Sequence, residues 1–506
     1  MAAAREVERS GNVAEQILAG GAGAATALSC GSRTVSFAEL NHYAALCGSE
    51  LLARGSSRGD RIGLFCENSP FFVAAYLGTI RAGLCSVPIR LDCRAGDFRR
   101  MVASTGIKLL LASDRLLPRI RPWAEALAAV VISESQLLAA RPSLPAAWPP
   151  VDPDRDLAAV MFTSGSTGEP KGVMVTHTNI AANSRDILAY MALTPEDRVM
   201  VVLPFHYCYG ASLLHTHLMA GGSLVIDNRF LFPGLVLDEM VQRRCSGLAG
   251  VPSTYQILLR NAAMAARRFP ALRWLQQAGG QLPNPVIREI LQAFPQVKFY
   301  VMYGQTEATA RLSYLPPERL RDKLGSIGRG LAPARLEVLR PDGTPVAPGT
   351  AEVGEIVASG DSISPGYWGD PLETARYFRQ GKLYTGDLAT VDKDGFIFLV
   401  ARTRDFIKAM GNRVSPREIE EVIAELPEVV EVAVVGVPDD IRGEAVKAFV
   451  VLAGGRQLGE DAIRGHCLGQ LPNYKVPKLI EFLPSLPKTA HGKVAKEQLR
   501  KAQEAG

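Results

Sequence analysis

The feature that most constrains this chain is the stretch MFTSGSTGEPKGVMVTH, residues 161–177. Its segment Thr163–Gly168 contains only threonine, serine and glycine, and Lys171 follows three residues later. Glycines let backbone N–H groups come close to an anion, and hydroxyls add further donors, so this composition suits a polyphosphate. Apolar runs on both sides, Leu157–Phe162 and Val173–Val175, indicate strands. The pattern therefore predicts a phosphate-binding loop held between two strands, and it disfavours a Ser/Gly linker.

Two other glycine loops do not fit the spacing. A Walker loop places Gly-Lys-Ser/Thr four residues after its first glycine, whereas Pro170 stands there and Gly172 follows Lys171. A nucleophile elbow has the order Gly-x-Ser-x-Gly, and Gly165–Gly168 is one residue short. The stretch instead resembles the signature of the AMP-forming adenylating superfamily. That superfamily includes acyl-CoA synthetases, aryl-CoA ligases, firefly luciferase and stand-alone adenylation domains.

Composition is typical of a soluble enzyme with more than one domain. The chain has 506 residues, which exceeds one ordinary core, with 47% hydrophobic and 21% charged residues. A formal net charge of only +5, without a long basic run, gives no indication of a nucleic-acid partner. The 8 cysteines are scattered without a Cys-x-x-Cys pair, which indicates reduced thiols. No signal peptide or membrane span is evident, so we predict a cytoplasmic protein.

The order of apolar segments predicts an α/β multidomain fold. Short apolar strands alternate with helical patterns before and after the phosphate loop, which is the rhythm of βαβ units. From about residue 325, Gly/Pro-rich turns at short spacing indicate antiparallel strands. We predict a large N-terminal domain, residues 1–403, with two βαβ-type subdomains and an antiparallel β subdomain at about 325–403. Residues 404–506 are predicted to form a small mobile α+β domain.

A second motif, FYVMYGQTEATA at residues 299–310, follows an apolar strand. It offers an aromatic ring at Tyr303, a hydroxyl at Thr306 and a carboxylate at Glu307, which suit stacking, phosphate binding and Mg2+ binding. The resemblance implies that Tyr303 stacks on adenine, that Thr306 contacts the α-phosphate and that Glu307 helps to hold Mg2+. A helix N-terminus capped by Thr306 is the structural alternative, and capping does not exclude catalysis.

Three further places resemble parts of the superfamily's nucleotide site. Gly279, Gly280 and Gln281 follow a predicted strand, where glycines would let the backbone approach a flat ring. Asp387 resembles the carboxylate that accepts hydrogen bonds from both ribose hydroxyls, and a carboxylate has the acceptor capacity for this. Arg402 resembles the arginine that reaches the ribose and phosphate, although Ala401 replaces the glycine that usually precedes it.

The resemblance continues into the smaller domain at three positions. Arg404 stands at the hinge, where aspartate or lysine is common in the superfamily. Gly411, in the tract KAMGNRVSP, matches the segment that lines the pantetheine channel of CoA ligases. Lys493, in PKTAHGK, matches the lysine that bridges the acyl carboxylate and the α-phosphate.

The candidate substrate pocket is centred on His206 in the segment PFHYCYGAS. This histidine lies between a predicted strand and helix, and open α/β sheets bind ligands beyond the carboxyl ends of their strands. The superfamily has an aromatic residue or a histidine there, beside the acyl group. With His206, the predicted pocket residues are Tyr207, Ala278 and Met302, on the stretches Tyr207–Met219, Gln277–Gln281, Met302–Gly304 and Thr309–Tyr314. Their mixture of apolar and small types suits an aryl or a medium-length fatty acid equally.

The resemblance implies an ATP- and Mg2+-dependent enzyme that converts a carboxylic acid to acyl-AMP with release of pyrophosphate. A thiol then takes the acyl group; CoA is the favoured acceptor, and a phosphopantetheinyl carrier protein is the alternative. A luciferase-like oxygenase is a remote alternative. An α-amino acid substrate is disfavoured because no aspartate stands near His206, and a catalytically dead module is disfavoured because the key residues are intact.

The predicted catalytic residues are Lys493, Thr306, Glu307 and His206, with Glu307 as the metal ligand. The predicted ATP-binding residues are Thr163, Ser164, Gly165, Ser166, Thr167, Gly168, Lys171, Gly279, Gly280, Gln281, Tyr303, Gly304, Gln305, Thr306, Asp387, Arg402 and Lys493.

Overall fold

The computed structural model describes residues 11–140, 142–164, 170–402, 406–409, 412–439, 443–488 and 494–504. The helices are α1 Val13–Leu18, α2 Phe37–Ala53, α3 Pro70–Arg81, α4 Ala95–Thr105, α5 Leu117–Glu125, α6 Glu134–Ala139, α7 His177–Met191, α8 Cys208–Met219, α9 Pro233–Gln242, α10 Pro252–Asn261, α11 Asn284–Ala293, α12 Pro371–Tyr377, α13 Pro416–Ile423, α14 Glu460–Leu468 and α15 Lys496–Glu504. 

The strands, in chain order, are β1 Thr26–Cys30, β2 Arg33–Ser36, β3 Arg61–Phe65, β4 Cys85–Pro88, β5 Leu109–Ala112, β6 Val130–Ser133, β7 Leu157–Ser164, β8 Pro170–Thr176, β9 Arg198–Val201, β10 Ser223–Ile226, β11 Gly247–Gly250, β12 Trp274–Gln277, β13 Lys298–Tyr303, β14 Ser313–Leu315, β15 Ser326–Gly330, β16 Arg335–Leu339, β17 Gly354–Ser359, β18 Phe378–Arg379, β19 Lys382–Val391, β20 Ile397–Arg402, β21 Ile407–Ala409, β22 Asn412–Val414, β23 Val429–Asp439, β24 Gly443–Leu452 and β25 Leu479–Phe482.

The first sheet holds the phosphate loop. Its strand order is β6-β5-β3-β4-β7-β8, and only the pair β7–β8 is antiparallel. In that pair Thr163 lies opposite Lys171, so the two strands that the apolar runs predict flank the loop. Helix α3 is buried along almost its whole length and begins after Ser69, whose side chain caps Phe72 N–H. A parallel sheet needs such apolar cover on both faces.

The second sheet joins βαβ units to the antiparallel strands. Its path is β16-β17-β19-β20-β15-β14-β13-β12-β11-β9-β10-β1-β2, and β18 pairs with β19. The strands from β10 to β13 along this path are parallel, and the pairing becomes antiparallel at β13–β14. The predicted antiparallel region is therefore continuous with the second βαβ sheet. The multidomain α/β fold that the sequence predicts is confirmed.

A smaller α+β unit follows. Strands β22-β21-β24-β23 form its sheet, with β25 parallel to β24, and helix α13 packs Ile419 and Ile423 into its core. This unit contacts the larger one. Arg417 donates hydrogen bonds to Leu399 O (2.5 Å) and Gly325 O (2.9 Å), and Gln256 Nε2 donates to Val430 O (2.8 Å). Within the described residues, no helix combines the length and the apolar character needed to span a membrane.

Burial lowers the pKa values of four histidines in the larger unit. The pKa of His177, His206 and His217 falls to about 4 and that of His215 to about 3, from an ordinary value of 6.5. The unfolded chain therefore binds more protons than the folded one as the pH falls from 6.5 toward 4, so acidification destabilises the fold. Asp186 affects stability in the opposite direction. Burial raises its pKa to about 6, so its contribution to the free energy of unfolding is present at low pH and is lost as the pH rises.

We therefore expect the melting temperature to fall between pH 7 and pH 5, since the effect of the four histidines exceeds that of Asp186 and Glu134, whose pKa values burial raises. At pH 5, each of the four histidines lowers the free energy of unfolding by about 2 kcal/mol. Scanning calorimetry across this pH range measures the effect. A melting temperature that holds or rises on acidification would contradict it.

Candidate active site

The carboxyl ends of parallel strands meet at one edge of the second sheet. His206 follows β9, Ala278 and Gly279 follow β12, and Tyr303 ends β13. Open α/β sheets bind ligands at this edge because the loops there converge. Three separately predicted parts of the site are therefore brought to the same place.

A short 3-10 turn, Thr306–Ala308, carries two of the four candidate catalytic residues, Thr306 and Glu307. The Thr306 hydroxyl donates to Cys208 Sγ (3.3 Å), which ties the turn to the first residue of α8. Thr309 then adopts φ +64° and ψ −55°, and Ala310 N–H bonds to Ala308 O (2.7 Å). Left-handed φ is strained for a β-branched residue, and such strain clusters at functional sites.

Glu307 is the carboxylate of this turn. Its Oε1 accepts a hydrogen bond from the hydroxyl of Tyr367 (2.8 Å), and its backbone oxygen accepts from Ser364 N–H (2.9 Å). Burial and the Glu307 charge raise the pKa of Tyr367, so this phenol stays a donor. Mg2+ in nucleotide sites takes one or two carboxylates, substrate phosphates and water. The described residues contain no cluster of three or more metal-ligating side chains, and a single carboxylate such as Glu307 is compatible with this mode.

Asp387 joins two other predicted nucleotide residues. Its Oδ2 accepts from the Tyr303 hydroxyl (2.7 Å), and its Oδ1 accepts from Arg402 Nε (3.0 Å). Asp387 is 6% exposed, and it follows Gly386, which has φ +74°. Each carboxylate oxygen has capacity for a second hydrogen bond, so a ribose diol can still be accepted.

Lys171 lies at the base of the phosphate loop. Its ammonium pairs with Glu373 on α12 and lies over the rings of Tyr367 and Tyr377, 5.6 and 6.0 Å from their centroids. The hydrogen bond from the Lys171 ammonium, together with its charge, holds the pKa of Glu373 below its usual range. A polyphosphate that binds Lys171 would take the place of the Glu373 carboxylate. Thr163, opposite Lys171, donates from its hydroxyl to Lys171 O (3.4 Å).

The remaining nucleotide residues show two different environments. The side-chain amide nitrogen of Gln305 is buried and has no hydrogen-bond partner among the described residues, which suits an incoming anion. Gly279 has φ +85°, and a Cβ at Gly280 would lie 3.2 Å from Pro252 Cγ. Gln281 donates a hydrogen bond to Glu421 of α13, so this predicted ATP residue contacts the smaller unit.

The predicted substrate pocket lies along α8 and β13. His206 is neutral at pH 7 because burial lowers its pKa to about 4, and Tyr207 is the N-cap of α8. Ala278 and Met302 are buried at 6% and 3% exposure. His215 and His217 are both core residues of α8, and His215 Nε2 bonds to the Tyr76 hydroxyl (3.0 Å).

Several predicted residues cannot be placed. Gly165, Ser166, Thr167, Gly168, Arg404, Gly411 and Lys493 lie outside the described residues, as does the side chain of Ser164. Their proposed roles stay predictions.

Family models match most of the chain. The AMP-binding enzyme model covers residues 17–368, and the AMP-binding enzyme C-terminal domain model covers residues 418–493. The chain belongs to the AMP-binding enzyme family. A feruloyl-CoA synthase of an Amycolatopsis species is 33% identical over 94% of this chain and 96% of its own length. A sulfoacetate–CoA ligase of Cupriavidus necator is 33% identical over 92% of both chains. By class, this AMP-binding enzyme is an AMP-forming acid–thiol ligase.

Solved structures of the family have the same fold. The O-succinylbenzoate CoA synthetase of Bacillus subtilis, in complex with ATP and magnesium, has TM-score 0.86 and 26% identity, over 97% of this chain and 99% of that one. The amide bond synthetase McbA of Marinactinospora thermotolerans has TM-score 0.88 and 27% identity, also over 97% and 99%.

Gly304 separates the two halves of this family site. A Cβ there would lie 1.8 Å from Ala310 O and 2.9 Å from Arg311 Cα, which are backbone atoms. We expect Gly304→Ala to displace the Thr306–Ala308 turn, to cost about 3 kcal/mol or more of stability, and to abolish most adenylation. Denaturant unfolding and pyrophosphate release measure both effects. Gly465→Ala is the matched control, because nothing lies within 4 Å of its Cβ; similar losses in both variants would contradict the prediction.

Sequence reasoning missed Tyr367, Glu373 and Tyr377. The segment around Tyr367 runs beside β8, where Trp368 N–H bonds to Gly172 O (2.7 Å) and Met174 N–H bonds to Gly366 O (3.0 Å). The string SPGYWGDPLETARYF combines turn residues with four aromatics and acidic residues, and that density of polar and aromatic types after a strand was the available signal.

Proposed function

We propose that this enzyme uses ATP to convert a carboxylic acid to acyl-AMP and then transfers the acyl group to CoA. The observation that carries the proposal is the convergence of Thr306, Glu307 and the Tyr303–Asp387–Arg402 cluster at one strand edge. These groups would hold the α-phosphate, a cation and the ribose at adjacent positions. The similarity to CoA ligases supports CoA as the acceptor.

In the first step, an oxygen of the acid's carboxylate attacks the α-phosphorus of ATP and pyrophosphate leaves. Negative charge gathers on the phosphoryl oxygens, so positioned donors and cations lower the barrier. Thr306 would donate to the α-phosphate, and Lys171 would leave Glu373 for the outer phosphates. Glu307 would hold Mg2+, which neutralises phosphate charge when bound. His206, neutral at pH 7, would line the pocket beside the acid without adding charge.

In the second step, the thiol sulfur of CoA attacks the acyl carbon and AMP leaves. We place the domain boundary between residues 403 and 404, with Arg404 as the pivot, Lys493 as a catalytic lysine of the first step and Gly411 beside the thiol channel. Lys493 would serve the first step and Gly411 the second, and both belong to the smaller domain. That domain must therefore change its position between the two steps. The contacts of Arg417 and Gln281 across the two units would exchange during that motion.

A second acceptor has one observation in its favour. The amide bond synthetase has the same fold over nearly the whole chain, and by its name it forms an amide bond. An amine would then replace CoA as the acceptor, while the first step stays the same.

The test is mass spectrometry of the purified enzyme with ATP, Mg2+ and a panel of carboxylic acids, with and without CoA. We expect AMP, pyrophosphate and an acyl-CoA. Acyl-AMP that accumulates unchanged by CoA would replace CoA with another acceptor. The absence of AMP with every acid would contradict the proposal.

A further inference from the structure

Arg311, two residues beyond the strained turn at Thr309, is a buried cation. It is 2% exposed. Its Nη1 donates to the hydroxyl of Tyr190 (2.6 Å), and its guanidinium lies over the ring of Tyr209, 5.2 Å from the centroid. No carboxylate among the described residues forms an ion pair with it. A buried charge without a counter-ion is unfavourable, so this arginine needs a partner that the described chain does not supply.

The backbone of Arg311 is held in place from both sides. Asn183 Oδ1 accepts from Arg311 N–H (3.2 Å), and Asn183 Nδ2 donates to Arg311 O (2.8 Å). Tyr190, one of the guanidinium's partners, stacks on Tyr314 with centroids 3.9 Å apart and ring planes at 11°. The Arg311 backbone is therefore held by Asn183, and its guanidinium is held by Tyr190 of the stacked aromatic pair. Both contacts preorganise the side chain for binding.

The guanidinium contacts two residues of the stretches predicted to line the acyl pocket, Met302 and Tyr209. Its Nη1 also donates to Met302 Sδ, just before Tyr303, and Tyr209 lies three residues after His206 on α8. The Thr306 hydroxyl contacts Cys208. A small cavity between α7, α8 and the residues after the catalytic turn is lined by Asn183, Cys208, Ser212 and Ala310, so it lies next to the partner of Thr306 and the partner of the Arg311 backbone. An acid that binds with its carboxylate at Thr306 and follows this cavity would bring its distal end toward Arg311.

We propose that Arg311 binds a second anionic group at the distal end of the substrate. This inference rests on the proposed acyl-activating function and narrows its substrate class to acids with a carboxylate or sulfonate at the far end. The Nε and Nη2 atoms of Arg311 make no hydrogen bond to described residues, so they are available to such a group. A planar guanidinium matches a carboxylate or sulfonate with two parallel hydrogen bonds. The tyrosine and methionine partners of Arg311 carry no negative charge that would compete with the substrate's anionic group for the guanidinium.

The test compares pairs of acids that differ only at the distal end: hexanoate with adipate, octanoate with suberate, and benzoate with terephthalate. The readout is kcat/KM for acid-dependent AMP formation. We expect the diacid of at least one pair to be favoured by about 10-fold or more, because a site built for a polar group rejects the analogue that lacks it. Arg311→Met, which keeps length without charge, should lower that diacid's kcat/KM by about 100-fold and leave or raise the value for its monoacid. Arg311→Lys should lie between the two.

The monoacid rate of Arg311→Met also reports whether the variant folds. A wild-type preference for the monoacid in every pair would overturn the inference while leaving the ligase activity intact. Equal losses for both acids in Arg311→Met, with Arg311→Lys no better, would assign Arg311 to packing with Tyr209 and would also overturn it. AMP formation with none of the acids would instead contradict the proposed function on which the inference rests.

Discussion

Glu307→Gln is expected to lower ATP-dependent AMP formation by about 100- to 1000-fold, the usual loss when one transition-state electrostatic partner is removed. The substitution removes the negative charge of Glu307 and keeps the size and the hydrogen-bond acceptor of its side chain. The Glu307 carboxylate accepts from the Tyr367 hydroxyl at 2.8 Å, and a glutamine amide oxygen can accept the same hydrogen bond. Only the negative charge that would bind Mg2+ is lost. The rate should be measured as pyrophosphate release across a range of Mg2+ concentrations, where the variant should need more Mg2+.

Tyr367→Phe is the matched control for this experiment. It removes the hydrogen bond to Glu307 and keeps the carboxylate, so its loss should be no more than about 10-fold, which corresponds to one hydrogen bond. Equal losses in both variants would show that Glu307 acts by holding the segment of Tyr367 in place. Full activity of Glu307→Gln would remove Glu307 from the metal site.

The charged groups of the site are already paired within the chain. Lys171 pairs with Glu373, Glu307 with Tyr367, and Asp387 with Tyr303 and Arg402. These pairings lower the cost of burying charge in the absence of a nucleotide. ATP binding must then exchange partners, so part of its affinity is offset by the contacts that it replaces.

Local sequence pattern predicts helices and strands better than it predicts which side chains will contact each other. The apolar runs around the phosphate loop predicted β7 and β8, because strand periodicity is a property of neighbours along the chain. Glu373 lies 202 residues from Lys171, and Tyr367 lies 60 residues from Glu307. No short-range pattern indicates which distant side chain will meet a given charge. These contacts depend on the register of the whole sheet, which requires the structure.

Two elements illustrate the same limit in the fold. Helix α5 was not among the predicted helices, and Pro122 within it argues against a helix from local propensity. Burial of Ile120 and Ala124 against β5 and β6 stabilises it nevertheless. Strand β1, Thr26–Cys30, was not among the predicted strands either; it pairs with the neighbouring β2 and, about two hundred residues further along the chain, with β10.

Lys493→Ala is expected to separate the two half-reactions. Lys493 itself lies outside the described residues, but Lys488 and Val494 on either side of it pair backbone to backbone, and Ala495 N–H bonds to Pro487 O (2.8 Å). If Lys493 bridges the acid and the α-phosphate, its loss should slow acyl-AMP formation by about 1000-fold, since a cation opposite the developing phosphate charge is removed. Thioester formation from supplied acyl-AMP and CoA should change by less than about 5-fold, because the thiol attacks the acyl carbon in that step and the α-phosphorus is not attacked.

Lys488→Ala is the control on the same tail. Its ammonium pairs with Glu431 Oε1 at 2.5 Å within the smaller unit, and that partly exposed pair is worth about 1 kcal/mol or less to stability. Both half-reactions should therefore keep their rates in this variant. An ATP-dependent rate that is unchanged in Lys493→Ala would exclude the residue from the mechanism. Equal losses of both half-reactions would mean that Lys493 holds the smaller domain in place for both steps. Another residue would then have to account for the difference between the two half-reactions.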